Sequence, residues 1–200
     1  MRYALRDMRY AKIIIETSAR HVHISKADFE AVFGKGAELT MLRRLSQPHS
    51  YAANEVVDLK TSKDELRNVR ILGPLKDRTQ VEISKTDSYY LGIPALARES
   101  GNLDGTPGIT IVGPKGEVKI RSGVILAHRH IHASPADAKK YKVKRGQLVS
   151  VKFQGPRGVK FYNVLVRVDK KFSWRMQIDT DEANAAGIDE EHNVGEVIVA

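Results

Sequence analysis

Five of the seven histidines fall in two short clusters, His21 with His23, and His128 with His130 and His132. Side chains two residues apart on a strand point the same way, so each His-x-His pair shares one face. Two neutral imidazoles so placed converge on one cation. His128 and His132 lie ~13 Å apart along an extended chain and do not readily meet on the same ion, which favours His130 with His132. The chain has no cysteine. That excludes a disulfide framework, a thiol nucleophile and thiolate metal ligation. Any metal must sit on His, Asp or Glu. Glu82, in Thr79-Gln80-Val81-Glu82-Ile83-Ser84, is the best carboxylate, a polar residue in an otherwise apolar alternation. An exposed strand glutamate is the competing reading. One His-x-His by itself is weak evidence and reads more readily as a hydrogen-bonded pair at a strand end. Its recurrence points to metal.

The recurrence extends beyond the histidines. Residues 20–28 read Arg-His-Val-His-Ile-Ser-Lys-Ala-Asp, and residues 129–137 read Arg-His-Ile-His-Ala-Ser-Pro-Ala-Asp. Ile71-Leu72-Gly73-Pro74 returns as Ile111-Val112-Gly113-Pro114. Two echoes in the same order indicate duplicated units. Each His-x-His runs into Ser-x-x-Asp, a helix start with Ser25 or Ser134 as N-cap and an acid in the first turn. Pro135 suits the first helical position, and Gly34 the end of the first helix. Lys12 to Glu16 reads as a strand. Further strands are expected at 55–60, 69–73, 80–84, 109–113, 117–121, 123–128, 147–153, 159–168 and 175–179. A last helix is expected over 180–186, stopped by Gly187. Short strands with Gly and Pro punctuation favour small barrels over a parallel α/β sheet. The expected fold is mainly β: two small β-barrel domains capped by short α-helices, with an internal repeat.

The 200 residues carry 33 Lys and Arg against 24 Asp and Glu, a net charge of +9. Residues 177–200 hold seven of the acids and no Lys or Arg, leaving 33 basic against 17 acidic residues, a net +16, over residues 1–176. Such a body favours phosphates, CoA-like molecules or nucleic acid, with a solvated basic surface as the alternative. No nucleic-acid-binding motif is present, so nucleic acid is not the expected partner. No apolar run reaches the ~20 residues of a membrane span. The N-terminus opens on Arg2, Arg6, Asp7 and Arg9 without the apolar stretch of a secretion signal, so a cytoplasmic protein is expected. Residues 1–10 are too brief and too charged to be read as an amphipathic targeting segment.

Several segments resemble, in order from about residue 11 to 187, the PduL-like phosphate propanoyltransferases, phosphotransacylases associated with propanediol-using microcompartments. They are Ser18-Ala19-Arg20-His21-Val22-His23-Ile24-Ser25, Leu45-Ser46-Gln47-Pro48, Val69-Arg70-Ile71-Leu72-Gly73-Pro74, Thr79-Gln80-Val81-Glu82-Ile83-Ser84, Arg129-His130-Ile131-His132 and Asp179-Thr180-Asp181-Glu182-Ala183-Asn184-Ala185-Ala186. The resemblance implies two β-barrels that need not follow chain order. Residues 10–19 with 128–197 would form the first. Residues 20–127 would form the second, with a helical insertion near 35–54. It implies a homodimer, a two-zinc site between the barrels, and the reaction of acyl-CoA with phosphate to give acyl phosphate and CoA. Carried over by position, His21, His23 and Glu82 would hold one zinc, and His130, His132 and residue 177 the second. Residue 76 would bind phosphate, and Ser100 would lie near the metals.

Two positions depart from that pattern. Residue 177 is Gln where the family has His, and a neutral amide oxygen is a poor zinc ligand. Residue 76 is Lys where the family has Arg, which keeps the charge and loses the planar fork. His49 stands where a glycine usually follows Ser-Gln-Pro, and His128 is an unexpected histidine beside the second set. Tyr89 and Tyr90 are candidates to stack on the adenine of CoA, against ordinary packing roles. With no cysteine and no Ser-His-Asp arrangement, direct attack of phosphate on the thioester is expected rather than an acyl-enzyme. The main rival is a non-catalytic family member that binds CoA or metal, supported by Gln177 and Lys76.

Overall fold

The computed structural model describes residues 10–199 and forms two compact units. One comprises the segment up to Ser18 together with the chain from His128; the other is Ala19–Ala127. The residues 1–10 considered for targeting lie outside the described ones, apart from Tyr10.

The discontinuous unit is a closed six-stranded barrel. It contains β1 (Tyr10–Thr17), β11 (His130–Ala133), β12 (Leu148–Phe153), β13 (Val159–Val168), β14 (Arg175–Ile178) and β15 (Val194–Ile198). The strands close in the order β1-β14-β11-β13-β12-β15. Alternation along each strand sorts the side chains. Ile13 and Ile15, Ile131 and Ala133, Val164 and Val166, and Met176 and Ile178 fill the core. Residues between them face the other way, including His130, His132, Arg175 and Gln177. Each fully buried isoleucine contributes about 1.5–3 kcal/mol of burial. Trp174 joins this core, its Nε1 donating to the Lys12 carbonyl at 3.0 Å and its ring stacked 4.3 Å from Tyr141. Helices α3 (Pro135–Tyr141) and α4 (Thr180–Ala186) follow β11 and β14 directly.

The continuous unit is a nine-stranded sheet. It contains β2 (His21–His23), β3 (Met41–Arg44), β4 (Tyr51–Lys60), β5 (Glu65–Gly73), β6 (Gln80–Glu82), β7 (Leu96–Arg98), β8 (Ile109–Gly113), β9 (Gly116–Ile120) and β10 (Val124–Ala127). Its order is β7-β10-β6-β2-β5-β4-β8-β9, with β3 paired to β4. Val22, Ile24, Phe29, Val32, Ile71 and Val81 lie in its core. Helices α1 (Lys26–Phe33) and α2 (Lys85–Leu91) follow β2 and β6.

The mainly β reading matches this architecture, and most expected strands lie within two or three residues of the observed ones. Two details differ. The sheet of the second unit runs from β7 to β9 with two ends, where a second barrel was expected. Residues 35–54 hold turns, the exposed strand β3 and the start of β4, not a helical insertion. Met41-Leu42-Arg43-Arg44 has no apolar face for a helix to bury, and pairing with β4 satisfies its backbone instead.

Candidate active site

Strand β2 is only three residues long, and its two neighbours fix what surrounds it. It runs parallel to β5 and antiparallel to β6. The antiparallel register sets Glu82 opposite His21 and Gln80 opposite His23. Residues directly opposite share a face, so both histidines, the carboxylate and the amide converge. One ligand atom from each of His21, His23 and Glu82 lies within 4.8 Å of the others. His21 Nε2 is 3.6 Å from Glu82 Oε2.

Backbone carbonyls set the tautomers. His21 Nδ1 faces the Ala19 carbonyl at 2.9 Å, and His23 Nδ1 faces the Leu72 carbonyl at 3.3 Å. A carbonyl only accepts, so both Nδ1 atoms carry protons and both Nε2 atoms present lone pairs. Burial pushes His23 down to about 4, reinforced by His21 and by the Lys76 ammonium and partly offset by Glu82. His23 is thus neutral at pH 7, the form a metal needs. Two imidazoles and a carboxylate form a donor set that fits zinc.

Around this cluster, Lys76 is exposed, its backbone N–H bonded to the Ile24 carbonyl at 2.9 Å. Behind it, Thr79 Oγ1 accepts from the Ser25 N–H, while Asp28 accepts from both the Ser25 and Thr79 hydroxyls. Ser100 reaches the cluster through Gln80, whose Nε2 donates to Ser100 Oγ at 2.8 Å and to Glu82 Oε1 at 2.6 Å. Tyr89 and Tyr90 stand exposed on α2. Lys85 Nζ sits 4.7 Å from the Tyr89 ring centre. The Tyr90 hydroxyl bonds Asp64, which raises the phenol and lowers the carboxyl.

The barrel repeats the layout. β11 runs parallel to β13 and antiparallel to β14, with Gln177 opposite His130 and Arg175 opposite His132. Gln177 therefore occupies the register position of Glu82, and Arg175 that of Gln80. His130 Nδ1 faces the carbonyl of residue 128 at 2.8 Å, as His21 Nδ1 faces that of residue 19. Even the flanking ion pairs correspond: Arg20 with Asp87 at 2.8 Å, and Arg129 with Glu182 at 3.1 Å. Burial raises the Glu182 carboxyl, which Arg129 partly counters. His130 Nε2 and His132 Nε2 face each other at 3.1 Å, and buried His132 Nδ1 has no hydrogen-bond partner. Burial, then His130 and Arg167, push His132 down to about 2.

The barrel set does not fit a metal as the sheet set does. Gln177 supplies only a weakly basic amide oxygen as the third donor, and Arg175 and Arg167 are in register with His132 on both flanking strands. His128 turns its Nδ1 to the Arg129 carbonyl at 3.0 Å and acts electrostatically on Glu182. Among the described residues, His21, His23 and Glu82 make the one group of three His, Asp or Glu donors close enough for one ion.

Sequence reasoning missed Gln80 and the paired Arg20–Asp87 and Arg129–Glu182 contacts. The latter had a signal. Glu82 to Asp87 and Gln177 to Glu182 share one five-residue spacing, and an arginine precedes each His-x-His.

The fold and site define a duplicated β protein with a histidine–carboxylate centre on one copy. The family model for phosphate propanoyltransferase matches residues 14–189. The chain is 47% identical over 187 residues to the phosphate propanoyltransferase of Thermotoga maritima, covering 93% of this chain and 87% of that protein. It is 49% identical over 193 residues to that of Salmonella typhimurium, covering 96% and 91%. The chain belongs to the phosphate propanoyltransferase family, and is an enzyme of the phosphotransacylase type.

Proposed function

We propose that the chain interconverts an acyl-CoA plus phosphate with an acyl phosphate plus CoA, the acyl group being propanoyl or acetyl, at one zinc held by His21, His23 and Glu82. The observation that carries this is the convergence of two tautomer-fixed imidazoles and one carboxylate on a common face. A bound zinc supplies Lewis acidity to the thioester carbonyl. The chain's own residues do the rest. Lys76 offers an exposed ammonium beside His23 to hold phosphate against charge repulsion. A phosphate oxygen attacks the thioester carbon, the carbon–sulfur bond breaks, and the phosphate proton passes to the departing thiolate. Ser100 Oγ accepts from Gln80, which leaves its hydroxyl proton to donate to the reacting groups. Tyr89, the more exposed of the two tyrosines, is the adenine-stacking residue in this reading, and Tyr90 borders it. A homodimer working in the cytoplasm on products of propanediol degradation completes the proposal, supported by the family likeness.

Elemental analysis of the chain purified without chelator or histidine tag tests the metal reading. One zinc per chain is expected; two would mean that Gln177 or His128 completes a second site. Replacing His21 and His23 by alanine should abolish thiol release from propanoyl-CoA with phosphate. Retained turnover would sink the assignment. A metal-loaded wild type inert across an acyl-CoA panel would establish the non-catalytic rival, which Gln177 favours.

A further inference from the structure

We infer that Gln80 is the positioning residue of this site, holding Glu82 in its metal-facing orientation and coupling it to Ser100. This rests on the zinc reading above. Gln80 is buried, 5% exposed, on the strand that carries Glu82. The orientation of its amide follows from its partners. The Gly101 backbone N–H, which only donates, lies 2.7 Å from one end of the amide, so that end is the carbonyl Oε1. The other end is the amino group, and it makes both remaining contacts: 2.6 Å to Glu82 Oε1 and 2.8 Å to Ser100 Oγ.

Three consequences follow. The two carboxylate oxygens of Glu82 take separate tasks: Oε1 accepts from Gln80, and Oε2 is the oxygen 3.6 Å from His21 Nε2. Both amino hydrogens of Gln80 are committed, so Ser100 is an acceptor toward Gln80 and its own proton is directed elsewhere. The loop at Ser100 and Gly101 is tied to the metal ligand by one side chain from twenty residues earlier. Gln80 touches neither substrate nor metal; it acts through Glu82 and Ser100. The barrel supplies the contrast. Arg175 takes the equivalent register position there, beside a Gln in place of Glu. An amide donor accompanies the carboxylate only where the three-donor cluster exists.

The test compares wild type with Gln80→Met, which keeps the length and removes both donors, as full-length proteins. Zinc affinity is read by competition with a chromophoric chelator, and kcat and KM are read by thiol release. The expected result is a 10- to 100-fold weaker zinc affinity, the usual size for loss of a ligand's outer hydrogen bond, and lower kcat even at saturating zinc. A purely structural role would lower the melting temperature and leave zinc affinity unmoved. Gln80→Met that folds and binds zinc within twofold of wild type overturns the inference alone. A wild type that turns over without holding zinc overturns the zinc reading and this inference with it. Should Gln80→Met not fold, Gln80→Asn, one methylene too short to reach Glu82, reads the same affinity with the same two outcomes.

Discussion

At the scale of single residues, the site depends on imidazoles kept neutral. The folded protein lowers His23 to about 4 and His132 to about 2, both below the usual 6.5. Lowered folded values mean that the unfolded chain binds more protons once the pH drops below about 6.5. Stability of the metal-free protein is therefore complete above that pH and falls as the pH goes down, towards 4 for the His23 contribution and towards 2 for that of His132. The slope is roughly 1 kcal/mol per pH unit for each histidine. Urea unfolding of metal-free protein at pH 7, 6 and 5 checks this, and a midpoint unchanged between 7 and 5 would refute it. Position 76 offers a second measurement. An ammonium is a point charge, whereas a guanidinium binds a phosphate with two parallel hydrogen bonds. Lys76→Arg should lower KM for phosphate several-fold, and Lys76→Ala should raise it about tenfold, as loss of one charge-assisted bond implies. His49 adopts φ 65°, a left-handed conformation that favours glycine. That accounts for the glycine expected after Ser-Gln-Pro.

At the scale of elements, the four helices of the described residues show what was legible and what was not. All four begin on a capped acid-containing turn: Ser25 with Asp28, Ser84 with Asp87, Ser134 with Asp137, and Asp179 with Glu182. The first, third and last were readable from the sequence. Helix α2 carries the same Ser-x-x-Asp signal, but Ser84 also continues the apolar alternation of the strand expected over 80–84, which hides it. β3 escaped because all four of its residues are exposed and no alternation marks them. β15 lies in an acid-rich stretch with short apolar spacing. Glu82 was readable as a polar residue in an apolar strand, whereas Gln80 was not, because only the folded loop brings Ser100 and Gly101 back to it. The second internal echo has a packing reason at its glycine. A Cβ on Gly113 would lie 2.5 Å from the Val32 carbonyl oxygen, at the close of α1. Backbone cannot yield as a flexible side chain does, so Gly113→Ala should cost about 1–3 kcal/mol by pushing α1 off β8. Chemical denaturation measures it; a loss below about 0.5 kcal/mol would show that the helix shifts freely.

At the scale of the whole molecule, charge decides which ligands are gathered. The net +16 of residues 1–176 suits the substrates proposed above, an inorganic anion and a cofactor bearing phosphate groups. A field of this kind acts over roughly one Debye length, about 10 Å at 0.1 M salt and about 3 Å at 1 M. Steering by the overall charge therefore fades over that range, while groups in direct contact lose less. KM for propanoyl-CoA should then rise steeply between 0.1 and 1 M NaCl, with kcat nearly constant, because salt weakens capture and leaves the reacting geometry intact. The same charge invites nonspecific nucleic-acid binding, and the two are separable by salt. A labelled single-stranded oligonucleotide should be released by 0.2 M NaCl, since its affinity is mostly counterion release, while acyl-CoA turnover persists there. An oligonucleotide that stays bound at 0.5 M and competes with acyl-CoA would mean that the basic surface is built for nucleic acid. A KM indifferent to salt would mean that the charge is a solvated surface, with recognition confined to the groups around His21, His23 and Lys76.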